Sequence, residues 1–92
     1  MGIESVELVL DLELRFGIEF PDRVARQVKT VGDLENLVLA LRAEQPAHVL
    51  LVEWDEADVR AETRTIVAHV LGKDAAMVTP DAELGRDLGL DA

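Results

Sequence analysis

From Ile3 to Phe16 the apolar residues Val6, Val9, Leu10, Leu12, Leu14 and Phe16 are spread among Glu4, Glu7, Asp11 and Glu13, with no Gly or Pro between them. That mixture predicts a helix of about fourteen residues whose early acids suit the positive N-terminal end of the helix dipole. Gly17 ends it, and Pro21 with Asp22 restarts the chain after the apolar stretch Ile18 to Phe20. A short helical turn from Asp22 to Val28 is expected to place Val24 and Val28 inward. Thr30-Val31-Gly32-Asp33 then resembles a capping box with Asp in place of the usual Glu. It opens a helix to about Arg42, in which Val31, Leu34, Leu37, Val38 and Leu41 recur at steps of three and four and form one stripe.

Residues 44–55 break the pattern. Pro46 punctuates, Val49 to Val52 form an apolar run without helical period, and the segment is the best linker candidate. Asp55 is placed to cap a long helix from Glu56 to Leu71, with Val59, Ile66, Val67, Val70 and Leu71 on one face and Gly72 at the C′ position. In the loop-rich remainder, Thr79-Pro80 has the form of an N-cap followed by an N1 proline, opening a turn that delivers Leu84 and Leu88 to the core. No convincing period of two occurs anywhere, so the expectation is an all-α bundle of three long helices and one or two short ones.

Composition narrows what such a bundle does. The 92 residues suffice for one domain. A formal charge of -10 repels phosphate backbones and anionic lipid, which argues against nucleic acid and membrane and for basic protein partners. The hydrophobic fraction of 49% is too high for a disordered acidic tail, so the charge coats a folded body. The start MGIESVEL has acids where a signal peptide needs a basic region, and no apolar run suits a membrane span, so a cytoplasmic location is expected. With no cysteine, no tyrosine, one serine (Ser5) and two histidines (His48 and His69), the means for acid, base or nucleophilic catalysis are nearly absent, and no enzyme is expected. Neither histidine has a convincing set of co-ligands for a metal. Trp54, beside the cap of the last long helix, is expected to be a packing anchor for the linker and not a ligand platform.

Two stretches of sequence resemble a known family. Residues 3–41, IESVELVLDLELRFGIEFPDRVARQVKTVGDLENLVLAL, resemble the second half of an acyl carrier protein, from the helix after the modified serine through the "FGIEFPD" loop to "TVGDL" and the last helix. Residues 56–91, with "TRTIVAHVLG" and "VTPDAELGRDLGLD", resemble the first half, which ends at the "DLGxD" that normally runs into that serine. The order is reversed. The resemblance therefore implies a four-helix acyl carrier protein-like fold in circularly permuted order, family helices 2-3-4 and then helix 1. In this reading residues 1–92 form one domain: 1–43 resemble the family's second half, 44–55 join the old termini, and 56–92 resemble its first half. About twelve extended residues span up to roughly 40 Å, enough to close the bundle within one chain. As a continuation of the flanking helices they rise only about 18 Å, which would favour exchange of halves in a domain-swapped homodimer.

The resemblance also implies a function: carriage of acyl groups for fatty acid or polyketide biosynthesis on a 4′-phosphopantetheine arm, whose thiol belongs to the cofactor. The attachment serine should follow Asp91, but that position is Ala92, which has no hydroxyl. Ser5 is the remaining candidate: Met1-Gly2-Ile3-Glu4-Ser5 repeats the Gly-and-acid spacing of Leu88-Gly89-Leu90-Asp91-Ala92, whereas the "VEL" register sets it three residues past the modified position. Modification at Ser5 and an unmodified apo-domain both remain open on sequence. By the same resemblance Asp91, Glu4, Glu7 and Glu13 would present charge to basic surfaces of acyl-processing enzymes and of a phosphopantetheinyl transferase, with Ile3, Val6 and Leu10 as the apolar centre of that patch. A solvated helix face accounts for the same acids. The contrasting reading is a structural or interaction bundle, permuted or swapped, with no carrier activity.

Overall fold

The computed structural model describes residues 3–45 and 53–90, and for Ile3 and Glu4 the backbone only. Among these residues are four α-helices: α1 (Ile3–Phe16), α2 (Asp22–Ala25), α3 (Val31–Glu44) and α4 (Glu56–Leu71), followed by a 3₁₀ turn at Ala75–Met77. The architecture is all-helical, with a single isolated bridge, Thr30 to Glu83, and no strand among the described residues. α4 packs against both α1 and α3. Leu8, Leu12 and Phe16 of α1, Val31, Leu34, Val38 and Leu41 of α3, and Val59, Ile66, Val67 and Leu71 of α4 form the shared core.

The helix ends follow the local chemistry of the sequence. Thr30 Oγ1 accepts from the Asp33 amide at 3.0 Å, and Asp33 Oδ2 accepts from the amides of Thr30 and Lys29, completing the capping box. Asp55 caps α4 by accepting from the Asp58 amide at 2.8 Å. Gly72, at φ +63°, ends it in the left-handed region that favours a residue without Cβ, and the Lys73 amide donates back to the Ala68 carbonyl.

The expected helical turn to Val28 stops at Ala25, and it is Ala25 and Val28 that pack on the core. The loop before α2 is held from both sides: Glu13 Oε2 accepts from the Phe20 amide at 2.8 Å, while the Gln45 carboxamide exchanges hydrogen bonds with the Glu19 backbone at 2.7 and 2.8 Å. Ile18 and Phe20 are thereby turned into the core.

Thr79-Pro80 opens a short turn, as the sequence predicts: the chain turns at Pro80 and Asp81, and the Ala82 amide donates to the Thr79 carbonyl at 3.0 Å. The segment crosses the N-terminus of α3, where helix amides lack partners within the helix. The Pro80 carbonyl accepts from the Gly32 amide and the Ala82 carbonyl from the Val31 amide, both at 2.9 Å, and the Leu84 amide donates to the Lys29 carbonyl at 2.9 Å. Satisfying those amides seats the turn against α3, with Leu84 and Leu88 buried. A Cβ on Gly32 would sit 3.1 Å from the Pro80 carbonyl oxygen, so glycine permits the close approach. The run Val49 to Val52 lies outside the described residues.

Two carboxylates tie this crossing to pH. Asp33 is held below its ordinary value of 3.8, first by the Thr30 amide and then by that of Lys29. Asp87 is lowered chiefly by the Glu83 amide, which donates to its Oδ2 at 2.8 Å, and then by the Arg86 side chain. A carboxyl lowered in the folded state contributes stability that is fully present above its unfolded value and is lost as pH falls through the folded one. The melting temperature should therefore fall between about pH 5 and pH 3, and the double variant Asp33→Asn/Asp87→Asn should fall less over that interval. Equal slopes in a pH series of thermal melts would show that these hydrogen bonds do not discriminate the folded state.

Candidate functional site

The outer face of α1 carries the first candidate surface. Val6, Leu10 and Leu14 stand one helical turn apart and are 45%, 50% and 77% exposed, while Leu8, Leu12 and Phe16 fill the opposite, buried face. Glu7 is exposed beside this apolar line and Asp11 is half-buried. Of the acids expected there, Glu7 is thus open to a partner. Glu13 is half-buried and its carboxylate holds the Phe20 amide, so its first role is to fix the loop. The side chains of Ile3 and Glu4, together with Asp91, Ala92 and His48, lie outside the described residues. Leu14 was absent from the sequence-derived set, although it continues the four-residue step from Val6 through Leu10.

Ser5 belongs to a different surface. It is half-buried and lines a cavity of about 430 Å³ between α1, α2 and the C-terminal segment. The walls are apolar, with Leu8, Leu12, Phe20, Leu34 and Leu84 prominent among them, and Leu90 lines the same space. Ser5 and Arg26 are the polar residues of the lining. Arg26 is exposed, directly follows α2, and among the described residues has no carboxylate within ion-pair distance. Sequence reasoning missed Arg26. Its signal was the basic content of Arg23, Arg26 and Lys29, within seven residues of a strongly acidic chain.

A second, more open groove of about 730 Å³ runs between α1 and α4, with Leu14, Trp54, Ile66 and His69 along it and the Arg15 to Glu62 ion pair at 3.1 Å. Trp54 meets the Phe16 ring edge-on with centroids 5.5 Å apart, as its expected anchoring role requires. Among the described residues no group of three or more His, Asp or Glu is placed to hold a metal ion. Nor is any described helix long and apolar enough to cross a membrane.

This arrangement offers chemistry suited to binding: a half-acidic, half-apolar helix face and an apolar cavity with one cation at its edge. Comparison with curated proteins finds acyl carrier proteins. The chain is 44% identical to that of Thermosynechococcus vestitus over 37 residues, which is 40% of this chain and 46% of the relative. It is 44% identical to that of Clostridium acetobutylicum over 39 residues, 42% of this chain and 51% of the relative. It is 46% identical to that of Lactobacillus acidophilus over 37 residues, 40% of this chain and 46% of the relative. The matches thus span about half the length of these relatives. No family model matches the chain, and no solved structure does.

Proposed function

We propose that this chain, which belongs with the acyl carrier proteins over the 37 to 42 residues that match them, is a non-enzymatic carrier-type bundle. In this reading it is written in permuted order, keeps the partner-facing surface of α1 and takes no phosphopantetheine arm at Ala92. The observation that supports it most is the wall common to two distant segments. Ser5, near the start of α1, and Leu90, near the end of the C-terminal segment, line one cavity. Segments that the permuted register makes neighbours in sequence are therefore neighbours in space. The residues that follow Leu90 are Asp91 and Ala92.

Whether these residues fit a phosphopantetheine group turns on a hydroxyl. Ala92 has none, so no phosphodiester forms there. Ser5, the sole serine, is half-buried within α1 and part of the cavity wall, a poor position for a side chain that must enter a transferase active site. What remains for the chain is recognition. Glu7 beside exposed Val6 and Leu10 presents charge at the edge of an apolar contact, an arrangement that steers encounter with a basic surface and weakens as salt rises. By likeness to the named relatives, that surface belongs to acyl-processing enzymes.

The test is incubation of the full chain with a phosphopantetheinyl transferase and coenzyme A, followed by intact-mass measurement. The mass is expected to stay unchanged. An added arm mapped to Ser5 would overturn the unarmed reading and make the chain a thioester carrier.

A further inference from the structure

We infer that α2 and the turn after it form a second docking face, opposite in sign to that of α1, which takes an acidic segment of a protein partner. Arg23 and Arg26 are exposed, and neither has a carboxylate within ion-pair distance among the described residues. Arg15, Lys29, Arg60, Arg64 and Arg86 each have one. In a chain with 19 acids and 9 cations, two neighbouring arginines without an acid partner depart from that pattern. Arg26 keeps right-handed helical dihedrals directly after α2, so it lies one turn from Arg23 on the same face. Val24, half-buried and outside the core, adds an apolar spot beside them. Of the acids nearest in sequence, Asp22 is exposed and pairs with neither arginine, and Asp33 is committed to the amides of Lys29 and Thr30.

The backbone beneath this face is fixed before any partner arrives. Upstream, Glu13 holds the Phe20 amide and Gln45 holds the Glu19 backbone; downstream, the Lys29 carbonyl accepts from the Leu84 amide at 2.9 Å. Docking there orders side chains and little else, which lowers the entropic cost of binding. Two guanidinium groups one turn apart match two carboxylates one turn apart on a partner helix, each pair closing with parallel hydrogen bonds. The net charge of -10 repels a partner that is acidic throughout, a second copy of this chain included. A partner whose acidic segment lies beside a basic one satisfies both faces, because its basic part meets Glu7 on α1. The opposite signs then fix the direction in which it lies across α1 and α2. The inference rests on the α1 reading for the basic part of the partner alone.

Amide NMR of the isotope-labelled full chain, titrated with capped alanine-based helical peptides of about twenty residues, tests the assignment. A peptide with two Glu one turn apart should shift the amides of residues 23–28. Its Gln counterpart should leave them in place, and its Lys counterpart should shift residues 6–11 of α1 instead. Arg23→Gln and Arg26→Gln should each weaken the Glu peptide by about threefold, whereas Lys73→Gln, which removes an exposed charge elsewhere, should match the parent chain. Arg23→Glu/Arg26→Glu should exchange the preference of α2, losing the Glu peptide and gaining the Lys peptide. All the replaced side chains are exposed, and retained amide dispersion checks the fold of each variant. No saturable shift at α2 with the Glu peptide, an equal response to the Gln peptide, or equal losses in Lys73→Gln and Arg26→Gln would overturn the proposal. So would a response of α2 to an oligonucleotide of the same charge but not to the Glu peptide. A Lys peptide that leaves residues 6–11 unmoved would instead overturn the α1 reading and leave this one standing.

Discussion

Removing both arginines that flank Glu35, as Arg60→Ala/Arg64→Ala, is expected to lower the melting temperature of the bundle by more than ~10 °C, and adding Glu35→Leu should restore most of the loss. Glu35 lies on α3 with only 1% of its surface exposed, facing α4. Its Oε1 accepts from Arg60 Nη1 at 3.1 Å, whereas Oε2 has the Arg64 guanidinium 3.6 Å away and no hydrogen bond of its own. Arg60 also bonds Asn36 and approaches Glu56, and its pKa is raised chiefly by the hydrogen bond from its side chain to Glu35.

The two sides of this cluster are unequal. Both guanidinium groups already reach solvent and can rehydrate when the acid is gone, whereas the buried carboxylate loses both of its cations when they are removed. Breaking a buried pair from the side that leaves the charge behind is the costly direction, and apolar replacement of the remaining member is the remedy. Glu35→Leu alone should accordingly cost far less than the double arginine variant. Thermal denaturation followed by circular dichroism decides it. A triple variant no more stable than the double would mean that lost arginine packing, and not an orphaned carboxylate, is responsible.

Glu35 also shows where reading along the chain stops. The apolar stripe of α3 was legible because Val31, Leu34, Val38 and Leu41 repeat at helical steps, and the structure buries all four. Glu35 falls between them on the same face. Its burial depends on Arg60 and Arg64, two residues one turn apart on a helix that local sequence does not reveal as its neighbour. The capping residues Thr30, Asp33 and Asp55 were legible for the opposite reason, since their partners lie within three residues.

The same distinction explains the candidate site. Val6, Glu7 and Leu10 could be named because one helix carries them all. Arg26 acquires meaning only when α1, α2 and the segment ending at Leu90 enclose a space, which no periodicity encodes. The turn at Thr79-Pro80 was legible locally, whereas its docking on α3, through the amides of Val31 and Gly32 to the carbonyls of Ala82 and Pro80, was not. Tertiary hydrogen bonding there adds to a sound local signal.

Phe16→Ala should cost ~3–5 kcal/mol, a large part of the ~5–15 kcal/mol that holds a small domain folded. Phe16 is fully buried at the end of α1 and stands at a junction of three segments. The Trp54 ring, just before α4, meets it edge-on, and the Arg42 guanidinium of α3 lies 6.0 Å from its ring centroid. Deleting the ring removes its own burial, leaves a cavity and strips Trp54 of its aromatic neighbour. Because Trp54 is the sole tryptophan, its fluorescence reports on this junction alone. In Phe16→Ala the emission should shift to the red under conditions where circular dichroism still shows helix. Leu14→Ala, on the same helix but at a position 77% exposed, should stay within about 0.5 kcal/mol of the parent. If urea titration found the two variants equally stable, or Trp54 emission were indifferent to Phe16, the packing of α1 onto the start of α4 would have to be drawn differently. With it would go the enclosure of the outer groove, whose wall Trp54 and Leu14 share.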